Sequence, residues 1–259
     1  MINELSNDLY KECFIPDDKW EYLKNLAMKE NWNFINDKSE VNYPILRNYI
    51  YHTYKRLVDL QKSNSNKVYV ICNDKNVCFN TGLLTENFEE IFMLWTKNLV
   101  PSKKKWYLKG FYKKSDRYIL RLGKLPERAT YINSINDLIL NTNLEIIPNL
   151  DHILADEKNL ERIPADLRNS PILLQCFNGA IETIIKRLKA NYKIAVPHFY
   201  NNKVQLLLPI CLKGNKTPDV VLAVERVKNF YRGSTCLTLD MAYNNARLIA
   251  KPETDWLIR

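Results

Sequence analysis

The residues best suited to acid–base chemistry lie in a short polar stretch past the middle of the chain. His152 directly follows Asp151, and a carboxylate beside an imidazole can fix its tautomer for proton transfer near neutral pH. The other two histidines, His52 and His198, lack such a neighbour in sequence. We therefore predict His152 and Asp151 as catalytic residues and Asn149 as a nucleotide contact. The alternative is that His152 is structural.

A second group of such residues lies where the last strand meets a short helix near the C-terminus. Helical spacing places Asp240, Asn244 and Arg247 on one stripe, with Asp240 at the expected N-cap and as a third catalytic candidate. A carboxylate, an amide and a guanidinium at a helix start could hold a phosphate. The predicted phosphate or nucleotide contacts are Arg232, Thr235, Asn244, Asn245, Arg247 and Asn149. Alternatively, Asp240 only caps the helix and the other residues form a polar face.

Residues 97–128 contain eleven basic and two acidic side chains, so this window accounts for the whole formal charge of +9. Aromatic residues are interleaved with the cations. A binder of single-stranded nucleic acid needs this composition, because cations follow the phosphates and rings stack on the bases. We predict a hairpin here, with strands 106–112 and 117–122 around a turn at 113–116.

Strand alternation puts Tyr107, Lys109 and Phe111 on one face of this predicted hairpin. The predicted RNA-backbone contacts are Lys109, Lys113, Arg117, Arg121, Tyr107 and Phe111. The alternative is a solvated strand face in a lysine-rich protein.

Hydrophobic periodicity and turn residues predict the elements that must position these side chains. The elements are a helix from Asp17 to Lys29, a helix after Pro44, a hairpin of strands 67–73 and 77–81, a helix from Pro171 to Ala190, a hairpin of strands 193–199 and 204–210 around Asn201-Asn202, strands 219–226 and 235–239, and a short helix before Pro252.

The fold class that follows is α+β, with mainly antiparallel β-sheet built from hairpins, an N-terminal helical segment and one long amphipathic helix near 171–190. We expect a helical N-terminal part over 1–66 and an α+β body over 67–259, together forming one compact structural unit.

Several classes of protein are disfavoured by composition. The six glycines form neither G-x-G-x-x-G nor a P-loop, and the six cysteines form no C-x-x-C pair. Neither a secretory signal nor an apolar run of transmembrane length is visible, so we predict a cytoplasmic protein without a membrane partner. Carboxylates such as Asp151 and Asp240 could bind Mg²⁺ or Mn²⁺, although no recognised ligand spacing is present.

Four stretches, at residues 144–154, 194–197, 205–209 and 237–249, resemble the family known as domain of unknown function 3825. The likeness spans roughly residues 30–259. Because some members carry a cold-shock-type or LOTUS-type domain on the same chain, the resemblance implies an association with RNA. It implies no particular reaction or catalytic residue.

Together these observations predict an RNA-associated protein that acts on a phosphoester or terminal nucleotide of RNA, as in RNA processing or repair. One alternative is a single-stranded RNA-binding module without catalysis. Another is a small-nucleotide phosphohydrolase or transferase that does not bind polymer.

Overall fold

The computed structural model describes residues 4–35, 41–63, 66–100, 104–214, 217–253 and 256–257. The chain folds into two compact units, residues 1–130 and 131–259. The change from helix to strand expected near residue 66 lies inside the first unit. The predicted α+β class and the long helix near 171–190 are confirmed.

The first unit is a five-stranded sheet with helices. Its elements in chain order are α1 (Leu9–Glu12), β1 (Cys13–Phe14), α2 (Asp18–Leu26), α3 (Pro44–Ser63), β2 (Val70–Cys72), β3 (Asn76–Leu84), β4 (Glu90–Lys97), β5 (Trp106–Lys113) and α4 (Arg117–Leu120). The strand order is β1-β5-β4-β3-β2, with β1 parallel to β5 and the other described pairs antiparallel.

Both faces of this first sheet are covered. Helix α3 starts at Pro44, which suits the first helical position because its missing N–H has no intrahelical partner to lose. Its buried residues recur at helical spacing, and Tyr54 packs against Phe79 and Trp95 of the sheet. On the other face, Ile119 packs in a cluster with Cys78, Phe92 and Leu94.

The hairpin predicted in the basic window is wrong. Strand β5 pairs with β4 and β1, and residues 117–120 form helix α4 instead of a second strand. The Asp116 side chain accepts a hydrogen bond from the Tyr118 N–H at 2.8 Å, which starts the helix, and the burial of Ile119 holds it on the sheet.

A bulge in β5 corrects a second expectation. Leu94 pairs with Gly110 and Trp95 pairs with Leu108, so Lys109 is an extra residue in β5. The bulge resets the alternation, and Phe111 faces the core with 1% of its surface exposed. Phe111 therefore does not share a face with Tyr107 and cannot contact RNA in the folded unit.

The second unit is a five-stranded sheet between helices. Its elements are β6 (Glu145–Pro148), α5 (Leu150–Ala155), α6 (Glu157–Leu160), α7 (Ala165–Arg168), α8 (Leu173–Ala190), β7 (Val196–Tyr200), β8 (Lys203–Ile210), β9 (Val220–Val227), β10 (Phe230–Leu237) and α9 (Leu239–Ala246), with short 3-10 turns at Ile135–Asp137 and Tyr192–Ile194. The strand order is β6-β10-β9-β8-β7, and β6–β10 is the parallel pair among the described strands.

The core of the second unit lies between α8 and one face of the sheet. Phe177 and Ile184 of α8 belong to the same buried cluster as Leu208, Leu222 and Val224. Helix α9 contacts β7, β9 and β10. Leu208, Leu222 and Val224 point towards α8, and the side chains that alternate with them point to the other face of the sheet, which α9 covers.

Two local predictions in the second unit have different outcomes. Asn201 and Asn202 have φ values of 47° and 60°, which confirms the tight turn between β7 and β8. The predicted N-cap at Asp240 is wrong, because Thr238 caps α9 by accepting a hydrogen bond from the Met241 N–H at 3.2 Å. Asp240 lies in the first turn of the helix.

Among the described residues, no helix combines the length and apolar character needed to cross a membrane. All six cysteines are free thiols, and Cys13, Cys78 and Cys236 are buried.

Candidate functional site

One face of the first unit carries exposed or half-buried rings beside cations, and we call it the basic-aromatic surface. It consists of Phe14, Lys104, Tyr107, Lys109, Arg117 and Tyr118. The parallel pairing of β1 with β5 places Phe14 opposite Tyr107, and their rings stack with centroids 5.9 Å apart and planes inclined by 27°. Phe14 is 46% exposed and Tyr107 is 37% exposed, so the stacked pair presents ring surface to solvent.

Cations lie beside the rings of this surface. Lys104 Nζ lies 5.7 Å from the centroid of the Phe14 ring. Lys109 Nζ lies 3.8 Å from the centroid of Tyr118, and the Arg117 guanidinium carbon lies 5.3 Å from the same ring. These are cation–π distances, which hold the charges near the rings without neutralising them.

Other lysines of the basic window are paired with carboxylates. Lys113 lies 3.9 Å from Glu89, and Lys114 lies 3.2 Å from Glu90. Lys105 lies 3.8 Å from Glu4. The positive charge of the window is thus partly neutralised, and Lys109 and Arg117 lie beside the Tyr118 ring of the basic-aromatic surface.

The predicted RNA contacts are therefore divided by the structure. Tyr107, Lys109 and Arg117 lie together on the basic-aromatic surface. Lys113 is ion-paired and Arg121 is exposed at the C-cap of α4. Lys103, a cation of the same window, lies outside the described residues.

A pocket of about 490 Å³ lies in the second unit between α9 and the sheet, and we call it the His198 pocket. Strand register places His198 opposite Gln205, Gln205 in line with Glu225, and Glu225 opposite Arg232. These four side chains form a polar row across β7 to β10, and the first three line the pocket.

His198 is 2% exposed, and neither ring nitrogen makes a hydrogen bond of normal geometry to a described residue. Burial lowers the pKa of His198 from 6.5 to about 4, and the neighbouring Gln205 amide offsets this effect in part. The imidazole is therefore neutral at physiological pH and offers one donor and one acceptor.

The charged groups of the pocket are engaged with partners inside the protein. Lys203 Nζ lies 2.5 Å from Glu225 Oε1, and Gln205 Nε2 donates to Glu225 Oε2 at 3.5 Å. Arg162 Nη1 donates to the Cys236 carbonyl oxygen at 2.6 Å and to Asn159 Oδ1 at 3.2 Å. Lys203 and Glu225 therefore neutralise each other, whereas Arg162 keeps its positive charge because its partners are neutral oxygen atoms.

The structure brings Thr235 and Asn245, two of the predicted nucleotide contacts, together in the lining of this pocket. It places Asp151 and His152 on the exposed side of α5, outside the pocket lining. Asn149 caps α5 by accepting from the His152 N–H at 3.4 Å, and its own N–H donates to the Gly233 carbonyl at 2.6 Å.

The remaining predicted residues lie beside the pocket rather than in its lining. Arg232 is exposed on β10, and Asp240, Asn244 and Arg247 are half-buried on and just after α9. Asn244 Oδ1 is buried and accepts no hydrogen bond from the described part of the chain. Within the described ranges, no three His, Cys, Asp or Glu side chains group as a metal site would require.

Sequence reasoning missed His198, Gln205 and Glu225. A signal was present, because each is a polar residue in a strand that is mostly apolar. Their convergence depends on the register between β7, β8 and β9, which periodicity within one strand does not determine.

The fold and these sites define an α+β protein of two units, one with an exposed cation and ring surface and one with a polar pocket. The chain belongs to the DUF3825 family, a domain of unknown function whose model matches residues 23–256. This match confirms the resemblance seen in the sequence. No curated protein and no solved structure matches the chain.

Proposed function

We propose that this chain is an RNA-associated protein that binds single-stranded RNA on the basic-aromatic surface. The observation that supports the proposal best is the exposed stack of Phe14 on Tyr107, with Lys104 beside Phe14 and with Lys109 and Arg117 beside Tyr118.

Each component of this surface has a role in binding a single strand. Unpaired bases can stack on exposed aromatic rings, at about 1–3 kcal/mol per base, whereas paired bases cannot leave the helix to do so. Cations beside the rings attract the phosphates that connect successive bases. The preference for RNA over DNA follows from the family resemblance, and a cytoplasmic location is part of the same proposal.

We propose binding ahead of catalysis because the predicted catalytic residues and the predicted nucleotide contacts do not line a shared cavity among the described residues. Asp151 and His152 lie on exposed α5, whereas Thr235 and Asn245 line the His198 pocket. A reaction at a phosphoester or terminal nucleotide of RNA is the alternative. It is tested by incubating end-labelled RNA with Mg²⁺ or Mn²⁺ and the protein, and a product that disappears in His152→Ala would favour it.

The binding proposal is tested by the salt dependence of affinity for a fluorescein-labelled single-stranded RNA. Each phosphate contact on a single strand contributes about −0.7 to the slope of log K against log salt concentration. The double variant Lys109→Gln/Arg117→Gln should therefore flatten the slope by about 1.4. The control Lys55→Gln/Lys75→Gln removes the same charge from exposed positions elsewhere in the first unit and should leave the slope unchanged.

Equal effects of the two double variants would mean that the binding responds to net charge and not to this surface. A wild-type protein with no measurable affinity, or with a slope near zero, would overturn the proposal and favour a small-nucleotide enzyme. A parallel titration with single-stranded DNA of the same sequence tests the preference for RNA.

A further inference from the structure

The His198 pocket contains a buried imidazole to which the described residues give no hydrogen bond of normal geometry, although the Gln205 amide lies close enough to influence its pKa. Both imidazole nitrogens of His198 lack a hydrogen-bond partner of normal geometry among the described residues, although the side chain is almost wholly buried. Buried polar groups are nearly always hydrogen-bonded, because leaving them unpaired costs free energy. Because the ring borders a pocket of about 490 Å³ but its nitrogens are buried, a bound ligand can supply a missing partner where the Gln205 amide beside them moves aside.

The pocket floor changes from polar to apolar along the strands. His198, Gln205 and Glu225 form one row, and the next residues on the same face include Ala223 and then Leu237. A flat molecule with a hydrogen-bonding edge and apolar faces matches this gradient. Its edge would meet the polar row, and its ring faces would lie over the apolar part of the floor.

Helix α9 and the rim add further contacts suited to such a ligand. Met241 lies over the pocket from α9, and Asn245, one turn later, supplies an amide with donor and acceptor groups. Tyr200 at the rim is 55% exposed and offers a ring for stacking. Thr235 supplies a hydroxyl.

The charges of the pocket do not require an anion as its ligand. Lys203 is paired with Glu225, and Arg162 is bound to the Cys236 carbonyl and Asn159. A phosphate would compete with Glu225 for Lys203, whereas an uncharged heterocycle would leave this ion pair in place. The volume lies within the range of small-molecule pockets.

We propose that the His198 pocket binds the base of a nucleoside or nucleotide, with His198 and Gln205 at its hydrogen-bonding edge. This site lies in the second unit and does not depend on the basic-aromatic surface for its ligand. It is therefore a second binding activity, beyond the RNA binding proposed for the first unit.

The test is a titration with adenosine, guanosine, cytidine and uridine, followed by NMR of protein labelled with ¹³C in the methionine methyl groups. Met241 is the only methionine after residue 130, so its methyl signal reports on the pocket. At least one nucleoside should shift this signal with saturation, whereas ribose and inorganic phosphate should not.

Two variants locate the binding. Ala223→Leu extends a side chain from the floor into the cavity and should abolish the saturable shift. Thr235→Ala should weaken affinity about tenfold, the loss expected for one hydrogen bond, whereas Thr183→Ala on the exposed side of α8 should not. A dispersed Met241 methyl signal in each free variant shows that the second unit is folded.

Several results would overturn the proposal: no shift with any nucleoside at millimolar concentration, an equal response to ribose or phosphate, or a response that survives in Ala223→Leu. Lys109→Gln/Arg117→Gln should retain nucleoside binding. Failure of the RNA proposal and failure of this one are therefore distinguishable.

Discussion

Replacement of His198 by Gln should remove a large part of the acid sensitivity of the second unit. In the folded protein the charged and polar groups around His198 are Glu225 and Lys203 on the neighbouring strands, Gln205 opposite it, and Arg162. Burial is the main cause that lowers the pKa of His198 from 6.5 to about 4.

The direction in which the free energy of unfolding changes with pH follows from which state, folded or unfolded, binds the proton first. Above pH 6.5 the imidazole is neutral in both states, and its contribution to stability is complete. As the pH falls from about 6.5 to about 4, the unfolded chain takes up the proton while the folded chain does not, so the free energy of unfolding decreases. The loss from this one group totals about 3 kcal/mol.

Urea unfolding between pH 7.5 and pH 4, followed by the Met241 methyl signal, measures this effect on the second unit. The difference in unfolding free energy between wild type and His198→Gln should change by about 3 kcal/mol over this range, in the direction that favours the variant at low pH. The exposed His152→Gln serves as the matched substitution and should keep the wild-type profile. Parallel profiles for wild type and His198→Gln would refute the reasoning.

Two further substitutions test local features of the structure. Phe111→Ala should lower the unfolding free energy of the first unit by about 3–5 kcal/mol because Phe111 is buried against Trp20, whereas Tyr107→Ala should cost less than about 1 kcal/mol. Tryptophan fluorescence in urea distinguishes these outcomes, and similar costs would contradict the bulge in β5. Thr238→Ala should cost about 1 kcal/mol through loss of the α9 cap, and Thr238→Ser should restore most of it. No loss on Thr238→Ala, measured by the Met241 signal in urea, would contradict the cap.

The elements that could be predicted from the sequence are those with a strong local signal. Helices α3 and α8 have long apolar stripes at helical spacing, and their existence follows from that pattern alone. The turn at Asn201 and Asn202 follows from the tolerance of asparagine for positive φ.

The elements that could not be predicted depend on contacts distant in sequence. The sequence of residues 117–120 is compatible with either a strand or a helix. The helix forms because Asp116 caps it and because Ile119 is buried against the sheet. The bulge at Lys109 reverses the face of Phe111, and its position is determined by the pairing with β4.

The candidate site also has features that the sequence predicts and features that depend on contacts distant in sequence. The concentration of charge and rings in residues 97–128 is a property of composition and was visible at once. The contribution of Phe14 was not, because β1 is two residues long and joins β5 from far away in sequence. The role of His198 depends on the register of β7 with β8, which no single strand reveals.

The most direct test of the central claim is ultraviolet cross-linking of the wild-type protein to a short single-stranded RNA, followed by mass spectrometry of the protein peptides. Bases stacked on the basic-aromatic surface should form adducts at Phe14 and Tyr107, and excess unlabelled RNA should compete them away. Adducts confined to other parts of the chain, with none at these two rings, would contradict the account.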